Sequence, residues 1–416
     1  MSVATEPLTP PQSAFRVGAG AVVVTTSTVL PVFLTGALSV QISRELGFDP
    51  AGLGLVVALY FGASALVSLP VGRIVERLGS GSTSRIAVVG AAFFMLLCSV
   101  AARSYGSLIA ILLCGAWCNV MGQLSSNLTL ARSMPAGRLG LSFGVKQSSV
   151  PLATLLAGVA VPAVALTLGW RWAYVIGAGL ALCALVAAPR GGRATPRDAT
   201  TPENRATAAL SVIGVAGGLA AACATGLGIF LVAAAVDRGI AVGLAGLVLT
   251  LGSVVGLVMR MLHGWLADRR SGGHVAVVAG SLLLGAGGLA LLAVPGPVAL
   301  ILGTILGFGL GWAWPGLLQF AVVRLNPSAP AAATAIVQVG VYGGSCLGPV
   351  GFGFLATHFS FTTAWLVSAG VLLVAAAGMV LGRRMLLAHA LRRPCADSVV
   401  PATLSAHNRS AREIAS

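Results

Sequence analysis

The chain alternates long apolar runs with short polar breaks, and the runs are longer than a soluble core uses. Twelve of them, at 17–43, 53–72, 86–102, 107–131, 140–168, 172–188, 208–236, 243–262, 275–294, 298–322, 332–357 and 362–382, are long enough to cross a bilayer as helices. No series of short alternating segments accompanies them, so a closed barrel is excluded and an all-α membrane protein with twelve transmembrane helices is expected. A polar, proline-rich and basic stretch from Pro189 to Arg205 separates six spans from six. The expected plan is a tail (1–16), a six-helix bundle (17–188), a linker (189–207), a second bundle (208–382) and a tail (383–416).

The two bundles repeat one another. At an offset of 191–192 residues, Gly72-Arg-Ile-Val-Glu76-Arg77 falls on Gly264-Trp-Leu-Ala-Asp268-Arg269, and Arg132…Pro135 on Arg324…Pro327. At the same offset Gln147 falls on Gln338, and Tyr174–Gly179 on Trp365–Gly370. Parallel six-helix repeats about an axis along the membrane normal are a transporter plan that holds substrate near the midplane between the halves.

Composition agrees with the pattern: 57% of residues are hydrophobic and 8% charged. The net charge of +15 would point to nucleic acid in a soluble protein, but its placement points to the bilayer instead, and no nucleic-acid partner is expected. With both termini cytoplasmic, the inside loops and tails hold 20 of the 25 basic residues, Arg260 counted among them, while Arg44, Arg103, Arg171 and Arg238 fall outside. A multi-pass protein of the cytoplasmic (inner) membrane is expected, its first run too long for a cleaved signal peptide. The seven cysteines show no CxxC and no nearby histidine at ligand spacing, so neither metal nor other cofactor is expected.

The paired loops carry a resemblance. Gly264-Trp265-Leu266-Ala267-Asp268-Arg269-Arg270 is close to the G-x-L-A-D-R-x-G-R/K-R/K loop motif of the major facilitator superfamily, and the chain resembles that family over nearly its whole length. The first copy keeps Gly72, Arg77 and Gly79, has Glu76 in place of aspartate, and lacks the trailing basic pair. The resemblance implies a secondary transporter working by alternating access, with spans 1, 4, 7 and 10 lining the cavity and Gly72, Glu76, Arg77, Gly264, Asp268 and Arg269 acting as gates. In physical terms, a carboxylate at a helix end can pair with arginine or with the positive N-terminus of a neighbouring helix, and rocking of the halves can break that contact.

Polar stripes mark where a small-molecule substrate is expected to sit. Span 1 has Thr25, Thr28, Thr35 and Ser39; span 4 has Asn119, Gln123, Ser126 and Asn127 at i, i+4, i+7 and i+8. Span 10 offers Trp312, Trp314 and Gln319, and span 11 offers Gln338, Tyr342 and Ser345. For any one of these residues the alternative is hydrogen bonding between packed helices. Span 7 has only Thr225 near its middle.

The only lysine of the chain, Lys146, lies in span 5 beside Gln147. An ionisable group in the hydrocarbon costs roughly 2.5–3.5 kcal/mol even on lenient scales and usually faces a polar path. Two readings stay open at this point. The ammonium lines a cavity, or, lying about 9 Å into the span, it snorkels to the cytoplasmic headgroups. Its repeat counterpart is Val337, which argues against a scaffold role. All ten acidic residues lie in loops, tails or helix ends, leaving no buried carboxylate to bind a cation or relay protons.

The expected function is alternating-access transport, as a permease or symporter, of a small solute, in particular a small organic anion. Lys146 is the charge partner; Gln147, Asn119, Gln123, Thr28, Gln319 and Gln338 are polar contacts; Trp314 and Tyr342 are walls. Coupling to a proton is a further expectation, and the protein is expected to be a monomer. The alternative is an efflux pump for a neutral or amphiphilic compound, favoured by the apolar span 7 and the Gly344-x3-Gly348-Pro349 cluster. A membrane enzyme or sensor is disfavoured, because no H-E-x-x-H, acidic metal cluster or Ser/His/Asp set is visible.

Overall fold

A computed structural model of the chain describes residues 14–133, 139–186, 207–326 and 330–391. The expected linker (189–207) therefore lies almost wholly outside the described residues, as do 1–13, Pro135, Pro327 and 392–416. The described part is helical throughout. Its first half holds α1 (Ala14–Ala37), α2 (Pro50–Leu78), α3 (Ser80–Ala101) and α4 (Tyr105–Ser133). α5 is built from Leu139–Gln147, Ser149–Ala160 and a π-turn at Val161–Ala165, and α6 from Trp170–Cys183 with a last turn at Ala184–Val186.

The second half repeats this order with α7 (Thr207–Asp237), α8 (Val242–Arg269) and α9 (His274–Leu291). α10 follows as Pro297–Leu306, a π-turn at Gly307–Gly311 and Pro315–Leu325, then α11 (Pro330–His358) and α12 (Phe361–Leu391). Eleven of these helices are long and apolar enough to cross a membrane, and Trp170–Val186 is a shorter apolar one, giving the twelve expected. α12 continues past the apolar run that ends at 382, as far as Leu391.

Small residues decide how closely the helices approach, since in lipid packing rather than water exclusion brings them together. α7 and α11 meet backbone to backbone: a Cβ on Gly340 or Gly344 would overlap the carbonyls of Gly214 and Gly218. That contact lies within the second half; two other close seams lie between the halves. α2 meets α11 at the end opposite the arginine-rich loops, where Gly54 faces the Pro349 carbonyl and Gly353 the Pro50 carbonyl. Further along, the same two helices expose Leu66 (83%) and Val339 (73%). α5 runs along α8 from Gly158 against Gly246 to Gly140 against Gly264.

At the end opposite the arginine-rich loops, a short helix (Ser39–Leu46) extends α1 and is pinned to α6. Glu45 accepts from the Trp170 indole at 2.7 Å and pairs with Arg171 at 2.7 Å, while Arg171 also donates to the Ala102 carbonyl. This is the one ion pair among the described residues. The Trp170 hydrogen bond first, and Arg171 after it, hold the Glu45 carboxyl below its ordinary value despite some burial. Its stabilisation is therefore present above the unfolded value and lost as pH falls through the lowered folded one. Glu45→Gln is expected to lower the melting temperature slightly at neutral pH, the pair being half-exposed and screened. The difference from wild type should close as the melts are taken to pH values below the ordinary carboxylate range; a gap that persists there would show that the charge is irrelevant.

Candidate functional site

Lys146 is buried (4% exposed) in α5, and its amine donates to Gln123 Oε1 of α4 at 2.6 Å. The ammonium is thus turned into the protein, toward the polar stripe of α4, and does not reach for the surface. Ser149, one turn on, closes back on the Lys146 carbonyl at 2.8 Å.

A second buried cation reaches the next residue of α5. Arg260 of α8 is 3% exposed, and its charge acts on Lys146. The guanidinium donates to the Gln147 carbonyl of α5, and through Nη2 (2.8 Å) and Nε (3.3 Å) to the Trp312 carbonyl of α10, with the Trp312 ring 5.5 Å away. Both carbonyls are available because their helices are interrupted. Pro151 has no N–H to offer Gln147, and α10 unwinds between its π-turn and Pro315, leaving Trp312–Trp314 outside regular helix. Broken helices at membrane depth are tolerated where buried donors satisfy the freed backbone, and Arg260 supplies those donors.

Arg260 corrects the sequence reading, which placed it among the inside-loop charges. It falls within the apolar run 243–262, and that position was the signal available. Its repeat counterpart at an offset of 192 is Ser68, so like Lys146 it breaks the pseudo-symmetry. Among the described residues every carboxylate sits at a helix end or in a loop, so the two buried cations have no protein counter-charge.

The other candidates divide. Asn119 is 3% exposed, reaches Ser64 at 3.5 Å and leaves Oδ1 unpaired; Trp314 is 1% exposed with its indole N–H unpaired. Gln147 contributes its backbone to Arg260 and is 9% exposed. Gln319 donates to Gln338 at 3.3 Å, joining α10 to α11, and Tyr342 follows Gln338 one turn along α11. Thr28 spends its hydroxyl on the carbonyls of Val24 and Thr25 and packs on Gly122 of α4, a helix-packing placement. Ser126 joins α4 to α1 through Thr25 and Ala21, while Asn127 is exposed.

The two loop motifs are used differently. Asp268 accepts from the Gly140 N–H at 2.7 Å and the Leu141 N–H at 2.9 Å, capping the start of α5 across the boundary between halves. A Cβ on Gly264 would stand 2.6 Å from the Gly140 carbonyl, and one on Gly144 2.6 Å from the Arg260 carbonyl, so only glycine allows this approach. Arg269 stacks on Trp265 at 3.9 Å and makes no ion pair among the described residues. In the first copy Glu76 and Arg77 are exposed and likewise unpaired among those residues, and Gly72 is in loose contact with Leu124.

The family model of the Major Facilitator Superfamily matches residues 18–215 and 213–394, which is nearly the whole chain. The chain belongs to that superfamily. It is a membrane transporter, not an enzyme, and its substrate is a small molecule. Among solved structures it is similar to a bacterial homologue of the human lysosomal transporter Spinster in an inward-facing, occupied conformation (15% identity, TM-score 0.67, 94% of this chain and 100% of that one). The inward-facing, unoccupied form of that homologue is similar as well, at 14% identity and a TM-score of 0.66 over 92% of this chain and 100% of that one. These likenesses show the superfamily fold. No curated protein matches the chain.

Proposed function

We propose that this superfamily member carries a small organic anion across the cytoplasmic membrane by alternating access, with both termini inside the cell. The observation that supports it is the pair of buried cations, Lys146 from the first half and Arg260 from the second, with no carboxylate among the described residues to balance them. Each buried charge carries a desolvation penalty of several kcal/mol, and neutral carbonyl and amide partners recover only part of it. A carboxylate entering between them would satisfy both charges, and would do so while touching both halves. Gln123, Asn119 and the unpaired Trp314 N–H are the polar groups at hand to orient it, beside the Trp312 ring. Lysine is a compact point charge whose protonation responds to its surroundings, so loading of anion and proton together is a natural extension.

Neutral or amphiphilic efflux is the second reading. It is favoured by the scarcity of polar groups on α7, where Thr225 is tied to Ser345 at 3.3 Å, and there Arg260 would serve only the broken helices. Uptake of a panel of radiolabelled mono- and dicarboxylates into proteoliposomes separates the two. Saturable uptake of at least one carboxylate is expected, stimulated by an inward proton gradient. Absence of any anion uptake by protein that extrudes a neutral amphiphile would sink the proposal, and uptake indifferent to pH would remove the coupling alone.

A further inference from the structure

Away from the central pair, α8, α9 and α10 leave a crevice of about 310 Å³ at the arginine-rich end, whose lining includes His263, Leu266, Arg270, His274, Val277 and Leu317. Its floor is Leu317 of α10 (4% exposed), while Leu266 (46%) stands open at the side. Nothing in the transport reading uses it. Two imidazoles line the inside: His263 and His274 are each 6% exposed, and His263 Nδ1 and His274 Nε2 have no hydrogen-bond partner. Buried polar atoms left unpaired ask for an occupant.

The positive field around those atoms is built from three sources. α9 starts at His274 behind Gly273, which adopts φ +75° and has no side chain to cap the first turn, so the helix N-terminus is open to an anion. Arg270 is held over this turn by its Nε bond to the Gly272 carbonyl at 3.0 Å, and Arg324 donates to the Arg270 carbonyl at 3.2 Å while facing His274 electrostatically. The nearest carboxylate, Asp268, is engaged on the opposite side with the start of α5. Trp265, 42% exposed under Arg269, is the kind of aromatic that sits at headgroup depth.

We infer that this crevice is a binding site for the headgroup phosphate of an anionic phospholipid, with an acyl chain lying along Leu266 and Val277. Basic pockets between spans at the cytoplasmic side suit such headgroups. The open first turn of α9 and Arg270 supply donors for the phosphate oxygens, with the His263 and His274 rings beside them, and the apolar side wall favours a lipid over a free ion. The contact would bear on the last turn of α8, which carries the Asp268 cap, so lipid composition would reach the α5–α8 seam.

The test compares thermal melts of the full-length protein in phosphatidylcholine nanodiscs with and without phosphatidylglycerol, and with inorganic phosphate added to phosphatidylcholine alone. Phosphatidylglycerol should raise the melting temperature and inorganic phosphate should not. Arg270→Gln, at an exposed position, and His274→Gln should each remove at least half of the lipid-dependent rise. Equal protection by inorganic phosphate would assign the site to a free anion and overturn the lipid, and a full lipid-dependent rise in Arg270→Gln would overturn the site.

Discussion

Lys146→Met is expected to lower kcat/KM for anion uptake about 10–100-fold while leaving the protein folded and at least as heat-stable as wild type. The loss follows from removing one charge-assisted contact to the anion, worth about 1.5–3 kcal/mol. The retained stability follows from the site itself, since methionine fills similar volume, the repulsion from Arg260 is relieved, and Gln123 can turn to another partner. A lysine serving only as scaffold would show the reverse, with stability falling and transport following it.

Arg260→Met is expected to lose transport at least as severely but to melt earlier, because the Gln147 and Trp312 carbonyls are then buried without a donor. Each unsatisfied group costs about 1–3 kcal/mol. The two losses should not add in the double variant, because both residues act on one anion. Wild-type uptake by Lys146→Met, measured in proteoliposomes at matched protein density, would remove the anion site from this position.

Asp268→Ala is expected to part α5 from α8 at the arginine-rich end and to slow transport more than tenfold. The carboxylate makes two hydrogen bonds to the first turn of α5 and meets its positive end, and losing both is worth about 3 kcal/mol, or roughly a 100-fold shift in a two-state equilibrium. Gly264→Val should act in the same direction by a different cause, because a side chain there has no room against the Gly140 carbonyl and Leu141. Distances between spin labels at the ends of α5 and α8, in a cysteine-free background, report the change directly. Both variants should populate the longer distance; an unchanged distribution in both would mean that this seam does not open in the transport cycle. No such effect is expected for Glu76→Ala, whose carboxylate is exposed and unpaired among the described residues.

That contrast shows how much of the site was legible. The two loop motifs are near-equivalent as text, and the repeat invites the same role for Glu76 and Asp268. Which of them meets a helix start depends on what stands across the boundary, and no periodicity within one half encodes a contact with the other. Thr28 and Asn119 illustrate the same limit: both are polar groups in lining spans, yet one is satisfied by its own backbone and the other keeps an unpaired oxygen. Arg260 lies two residues from the end of its apolar run, where an arginine reads equally as a loop charge until its depth is known. Removing it from the loops leaves their charge bias strong.

The sequence by itself determined the number of spans, because the cost of exposing polar backbone to lipid is a local property that each run of residues carries with it, and the paired loop motifs pointed to the repeat and the superfamily. It also singled out Lys146, because a lone charge in an apolar run is costly wherever that run packs. Only the tertiary structure decided that this lysine turns inward to Gln123, that Arg260 joins it from the other half, and that Pro151 and the break before Pro315 free the carbonyls that hold Arg260 in place. Those facts are set by which helices become neighbours, and in lipid that choice rests on close packing and on the satisfaction of buried polar groups at positions far apart in the chain.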